Sequence, residues 1–142
     1  VASRNTKFIN AFIKIGVSGA DCGSSYFLPR LLGFHRSAEL LYSGRDLLAE
    51  EAHEWGYVNI LVDAEEEVIP RAVRFAEELM LTRSPLGLRL TKEALNVNLD
   101  AGGLEAAIHL EDRNQTVCAQ TDDVMEGVVS FFERRRPRYG SR

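Results

Sequence analysis

The chain has 142 residues, 45% hydrophobic and 27% charged, with a formal charge of −4, a globular composition large enough for one core and one domain. No run of about 18 apolar residues occurs, and the opening VASRNTKF lacks a signal-peptide apolar region, so neither a membrane span nor visible secretion is expected and the cytoplasm is the default. Cys22 and Cys118 stand far apart without metal-ligand spacing; they read as free thiols in a reducing compartment, with no metal site. The chain opens on Val1 rather than Met, which suggests a natural start that is missing or processed.

Taken in chain order, FINAFIKIG at 8–16 is short, apolar and rich in Ile and Phe, and predicts one or two short strands ending at Gly16. The segment IKIGVSGADCGSSYFLPRLLG, 13–33, then packs four glycines, three serines and the single carboxylate of Asp21 into one stretch. From Ser24 the pattern predicts a helix stopped by Gly33, with Pro29 straining its middle. RSAELLYSG offers a further short helix, and DLLAEEAHEWGYVNILV predicts strand, helix, a stop at Gly56, and strand.

Strands end after Asp63. Residues 65–82 place Ile69, Val73, Ala76 and Met80 on one helical stripe. Ser84 followed by Pro85 is a helix start, with Ser as cap and Pro at the first position. Gly102-Gly103 separates that helix from LEAAIHLEDRNQTVCAQ, and a last helix beginning near Thr121-Asp122 is expected to turn Val124, Val128, Phe131 and Phe132 inward. A few short strands cannot make a sheet that needs so many helices. The order reads as the back half of a larger α/β fold.

The succession KFINAFIKIG, GADCGSSYFLPRLLG, AELLYSGRDLLAEEAHEWGYVNILV, SPLGLRLTKEAL and MEGVVSFFERRRPRYG resembles the C-terminal half of the enoyl-CoA hydratase/isomerase, or crotonase, family. The likeness covers essentially the whole chain. LYSGRDLLAEEAHEWGYVN matches the family's tG-r-i-a-EA-…-GlVn stretch, and FFERRRPRY matches its closing f-leKRkP-f. The resemblance implies a crotonase-like (ClpP/crotonase) α/β fold: 1–63 as the C-terminal part of its α/β core, and 64–142 as a helical region for trimerisation and CoA contact. It implies activity on acyl-CoA thioesters in fatty-acid metabolism, with an enolate oxyanion held by two backbone N–H groups, in a homotrimer or a dimer of trimers. Coenzyme A would be part of the substrate, with no separate cofactor. In the family both oxyanion donors belong to segments upstream of Val1, so the upstream half of the fold is an expected partner. A catalytically inactive truncated paralogue serving assembly is the alternative. A eukaryotic source would move the expected compartment to a mitochondrial or peroxisomal matrix.

Family hydratases carry a Glu in a PE dipeptide where this chain has Ala11-Phe12, and Phe cannot transfer protons. Dienoyl-CoA isomerases of the family carry an Asp in a stretch like aaDvGtlqrLP, which lines up with Asp21 when Gly23, Leu28 and Pro29 are superposed, given one extra residue between Gly16 and Asp21. A carboxylate in an apolar, partly desolvated pocket has its pKa raised, which suits proton shuttling at the α or γ carbon of a thioester. Asp21 is therefore a candidate acid/base, or a turn-capping residue, since Asp is at home in both places.

The last ten residues carry five Arg against one Glu, a basic tail on an acidic body. It can hold phosphate or complement a helix C-terminus. By resemblance, Phe131 and Arg134 match a Phe and a Lys that approach the adenine and phosphate end of CoA. Nucleic acid is not expected, because the body is acidic. His35, His53 and His109 are scattered without partners at nucleophile or metal spacing.

Overall fold

The computed structural model describes residues 1–140 and divides the chain into two compact units, Val1–Arg74 and Phe75–Arg142. The first unit holds β1 (Ala2–Ser3), β2 (Lys7–Ile9), β3 (Asp46–Leu48), β4 (Leu61–Val62), α1 (Ser24–Leu32), α2 (Phe34–Ser43) and α3 (Ala49–Glu54). Helix α4 (Val68–Thr82) leads into the second, which holds α5 (Pro85–Val97), α6 (Leu104–Ala119) and α7 (Asp122–Phe132). The α/β class holds, with helices dominating.

β1 pairs with β4 in parallel and β2 with β3 antiparallel, in two separate two-stranded sheets. The expected strand over 8–16 stops early. Its partner β3 has only three residues, in register Lys7↔Leu48 to Ile9↔Asp46, so nothing is left to accept the ladder beyond Ile9. The backbone instead turns into a 3₁₀ helix at Ala11–Ile15, closed by Gly16 at a φ of 85°. Isolated two-stranded pairs are marginal in water, and here packing supports them. Ala2, Leu32, Leu40, Leu47, Ala52 and Val58 are buried together, with Phe8, Leu28, Trp55, Tyr57 and Leu61 against them. Phe8 and Tyr57 meet edge to face at 5.0 Å.

The helix punctuation follows the residues that demand it. Gly33 ends α1, which runs through Pro29 without stopping, and Gly44 ends α2 at a φ of 59°. Ser84 caps α5, accepting the Gly87 N–H at 3.3 Å, with Pro85 at the start. The last helix departs from expectation. Val124, Val128, Phe131 and Phe132 are exposed, while Asp123 and Ser130 are the buried residues of α7. Ile69, Val73 and Met80 of α4 are exposed as well. Periodicity identifies the apolar stripe correctly, but burial needs a covering surface, and none of the described residues supplies one.

One glycine is fixed by space alone. A Cβ on Gly19 would lie 2.0 Å from the backbone oxygen of Leu41, so the Gly-rich loop lies flat on α2 only because the side chain is missing. Gly19→Ala should therefore lower stability by about 1–3 kcal/mol in urea denaturation, the scale of an overpacked contact. Gly102→Ala, where a Cβ would meet nothing within 4 Å, should stay within about 0.5 kcal/mol.

Candidate functional site

Asp21 sits on the tip of this loop, immediately before α1. Its carboxylate Oδ1 accepts the Cys22 N–H at 2.7 Å, while its main chain is tied to Ser24 twice. The Asp21 N–H donates to Ser24 Oγ at 3.1 Å, and the Ser24 N–H donates to the Asp21 carbonyl at 2.9 Å. Cys22 and Gly23 both take positive φ, 51° and 80°, in this tight turn. The N-cap of α1 is Gly23, with no side-chain cap. The Asp21 carboxylate thus binds the adjacent amide and not the first-turn amides of the helix, so its conformation is not that of a side-chain N-cap. Asp21 is exposed. The apolar, desolvated setting expected for it is not formed by the described residues, because the Gly-rich turn holds the carboxylate outward.

Behind the turn lies a cavity of about 280 Å³, lined by Asn10, Cys22, Ser24, Phe27, Leu28 and Tyr57 among others. Arg45 also reaches it, but four of its five guanidinium N–H groups are engaged. Nε donates to Glu39 at 2.7 Å, the two Nη groups grip Glu51 at 2.8 and 2.7 Å, and Nη1 also donates to the Asp46 carbonyl at 2.9 Å. The ring of Trp55 stacks 5.4 Å from it. Hydrogen bonding to Arg45 lowers the Glu51 pKa and, reciprocally, raises that of Arg45. Ala11-Phe12, the positions matching the family's PE dipeptide, begin the 3₁₀ helix after β2. His53 makes a 2.9 Å hydrogen bond between Nδ1 and the Val58 carbonyl, an anchor at the end of α3.

The second unit carries the other candidates. Phe131 is 78% exposed and meets Phe132 edge to face at 5.7 Å. Together they border a cavity of about 520 Å³ that also touches Val124, Val128, Cys118 and Tyr139. Arg134 follows Phe131 by three residues but does not share its helix. Helix α7 ends at Phe132, and Arg134 lies beyond it at a φ of 53°. The chain reverses there, with the Arg135 N–H returning to the Ser130 carbonyl at 3.1 Å and the Arg134 N–H to Phe131 at 3.3 Å, a left-handed helix closure. Among the described residues Arg134 makes no ion pair.

Composition did not reveal what the basic tail is bound to. Arg135 grips Glu126 with both Nη groups, at 2.6 and 2.9 Å, and donates Nε to Glu133 at 2.6 Å. The Arg138 N–H adds a third bond to Glu126 at 2.6 Å. One turn earlier, Asp123, 5% exposed, accepts the Ser84 hydroxyl at 2.7 Å and the Gly140 N–H at 2.9 Å. Asp123 stands in the first turn of α7, where a negative charge suits the helix dipole, and it is also a buried staple. Two carboxylates at i and i+3 therefore strap residues 135–140 along α7. Ser141 and Arg142, the rest of the tail, lie outside the described residues.

The comparisons with known proteins agree with this architecture. Residues 1–142 match the family described as enoyl-CoA hydratase/isomerase, and the chain belongs to that family. It is 36% identical over 139 residues to the 1,2-epoxyphenylacetyl-CoA isomerase of Escherichia coli K12, covering 98% of this chain and 52% of that protein. It is 30% identical over 142 residues to the crotonyl-CoA hydratase of Syntrophomonas wolfei, covering all of this chain and 53% of that protein. The crystal structure of an enoyl-CoA hydratase/isomerase from Cupriavidus metallidurans CH34 superposes with a TM-score of 0.83 at 34% identity, over 99% of this chain and 52% of that one. The chain spans about half the length of the curated relatives it matches. Its fold is crotonase-like, in the form of a mostly helical portion with a few short strands.

Hydrogen bonding to Arg135 and to the Arg138 N–H holds the Glu126 pKa at about 2, below its ordinary 4.5. A carboxylate depressed in the folded state contributes above its unfolded pKa and loses that contribution as pH falls through the folded value. The strap should therefore be intact at pH 5 and above, and release between about pH 4.5 and 2. Hydrogen exchange at the Arg138 amide, which Glu126 accepts, should accelerate relative to its intrinsic rate across that window, and Glu126→Gln should show the released behaviour already at pH 7.

Proposed function

We infer that the chain works as part of an enzyme that acts on acyl-CoA thioesters, passing through an enolate whose oxyanion is stabilised by preorganised N–H donors. The observation that carries this reading is the family match along all of residues 1–142. In this reading the oxyanion donors come from outside residues 1–140, and Asp21 is the group that moves the proton. Its second carboxylate oxygen makes no hydrogen bond among the described residues, and its neighbours Cys22 and Ser24 line the cavity behind the turn. Asp21 would take a proton from the α or γ carbon of the bound acyl group, leaving the electron pair in the thioester enolate. Returning the proton to the other carbon shifts the double bond; fatty-acid metabolism is the setting that such chemistry fits. Ala11-Phe12 cannot supply a second carboxylate, which favours isomerisation over two-carboxylate hydration.

Phe131 and Arg134 are assigned to the CoA end. An exposed aromatic can cover an adenine, and Arg134, unlike Arg135, has a guanidinium free of ion pairs among the described residues to grip a phosphate. The exposed stripe of α7 and the exposed apolar residues of α4 fit burial against other copies in a homotrimer or dimer of trimers.

In the full-length protein, Asp21→Asn should reduce isomerisation of an enoyl-CoA by roughly 10²-fold or more with little change in thioester affinity. Unchanged turnover with a lowered melting temperature would leave Asp21 a turn residue, and no turnover from the unmutated full-length protein would favour an assembly role. Arg134→Ala should weaken CoA binding by about 1–2 kcal/mol, the scale of a charge-assisted hydrogen bond, and dephospho-CoA binding much less. Arg and Ala both carry a Cβ at this positive φ, so the substitution tests the guanidinium and not the turn. Equal losses for the two ligands would remove Arg134 from the phosphate site.

A further inference from the structure

The hydroxyl of Ser24, the first residue of α1, is bonded backward, away from the helix it begins. A serine at a helix start commonly sits one position earlier and accepts a first-turn amide. Here the N-cap is Gly23, with no side-chain cap, and Ser24 Oγ accepts the Asp21 N–H at 3.1 Å. The Ser24 N–H returns to the Asp21 carbonyl at 2.9 Å, so one residue holds both main-chain polar groups of Asp21. Between them, Cys22 and Gly23 sit at φ of 51° and 80°. A non-glycine residue keeps positive φ only where its surroundings fix it. The two bonds across the turn do so, with the Cys22 N–H on Asp21 Oδ1 at 2.7 Å. The approach to Asp21 is held as well, by Ser18 Oγ accepting the Ala20 N–H at 3.2 Å and by Gly19 flat against Leu41.

We propose that Ser24 is a positioning residue for the reaction, its Oγ holding the Asp21 main chain so that the carboxylate keeps one direction. The proposal rests on the reading of Asp21 as the group that moves the proton, and adds how that group is aimed. The place of a carboxylate is set by its backbone and two side-chain torsions, so an amide plane that swings carries both oxygens with it. Displacing a reacting group by about 1 Å costs up to about 10²-fold in rate. The bond from Asp21 to Ser24 Oγ lies at the exposed surface. Water therefore takes its place when the hydroxyl is removed, and the fold is spared the larger penalty of a buried donor left unpaired. Aim and stability are separable at this residue for that reason. The Ser24 N–H survives any such substitution, so the hydroxyl alone is tested.

The test is a double-mutant cycle on the full-length protein, following isomerisation of an enoyl-CoA. Ser24→Ala should lower kcat by about tenfold, the scale of one hydrogen bond lost from a reacting geometry, with KM within about twofold and an unchanged melting temperature. Ser24→Thr keeps the hydroxyl and should stay within about twofold of the unmutated kcat. In the Asp21→Asn background, Ser24→Ala should cost less than about twofold more, because no carboxylate is left to aim. The same loss in both backgrounds would make Ser24 a turn residue acting independently of Asp21 and overturn the assignment. An unchanged kcat in Ser24→Ala, a loss carried by KM, or an Ala variant that no longer folds would also overturn it. So would a Thr variant as slow as the Ala variant. A slow Asp21→Asn beside an unaffected Ser24→Ala would remove Ser24 alone and leave the acyl-CoA reading standing. Full turnover by Asp21→Asn, or none by the unmutated protein, would sink that reading and this assignment with it.

Discussion

The Arg45 guanidinium is the joint on which the first unit depends. It reaches back to Glu39 on α2, forward to Glu51 on α3, and down to the carbonyl of Asp46 on β3, with Trp55 stacked against it. An ammonium has three donors on one atom and no fork to grip a carboxylate bidentately; the planar guanidinium spans all of these partners at once. Because β3 is also, among the described residues, the only partner of β2, the same side chain fixes the edge from which Asn10 and the Gly-rich loop depart. The position of the Asp21 turn is therefore set by an ion pair several elements away. Gly19, flat against Leu41, sets its height above α2.

Much of this was legible locally. Gly33, Gly44 and the Ser84-Pro85 pair announced helix ends because each meets a backbone requirement that few residues meet. Cys22 and Cys118 are both free thiols in the structure. The family, too, was readable from spaced motifs, since LYSGRDLLAEEAHEWGYVN contains both members of the Arg45–Glu51 pair and the buried Ala49 and Ala52.

What was not legible depended on distant partners. The strand expected through Ile15 stopped at Ile9 because β3 is short, a fact about residues nearly forty positions away. The stripe on α7 has the right period, yet period says only which side is apolar, not whether anything covers it. Asp123 looked like an ordinary first-turn acid, and only the return of Gly140 and the approach of Ser84 make it a buried staple.

The tail shows most clearly why counting charges misleads about a site. Five arginines in ten residues suggest a broad anion-binding surface, but Arg135 is spent on Glu126 and Glu133 and the Arg138 amide on Glu126. An ion pair of this geometry removes its cation from competition for a ligand, since a phosphate would have to displace a bidentate carboxylate already in place. The strap thus converts a diffuse basic run into a small number of separate guanidinium groups, of which Arg134 lies nearest in sequence to the exposed aromatic pair. Its left-handed backbone is itself held in place. A non-glycine residue is held at positive φ only when surrounding bonds over-determine it, and here the helix closure at Phe131 and Ser130, together with the Arg135 clamp on the next residue, fixes that conformation. Selectivity for one phosphate would then arise from the internal pairing of the tail as much as from the arginine that makes the contact.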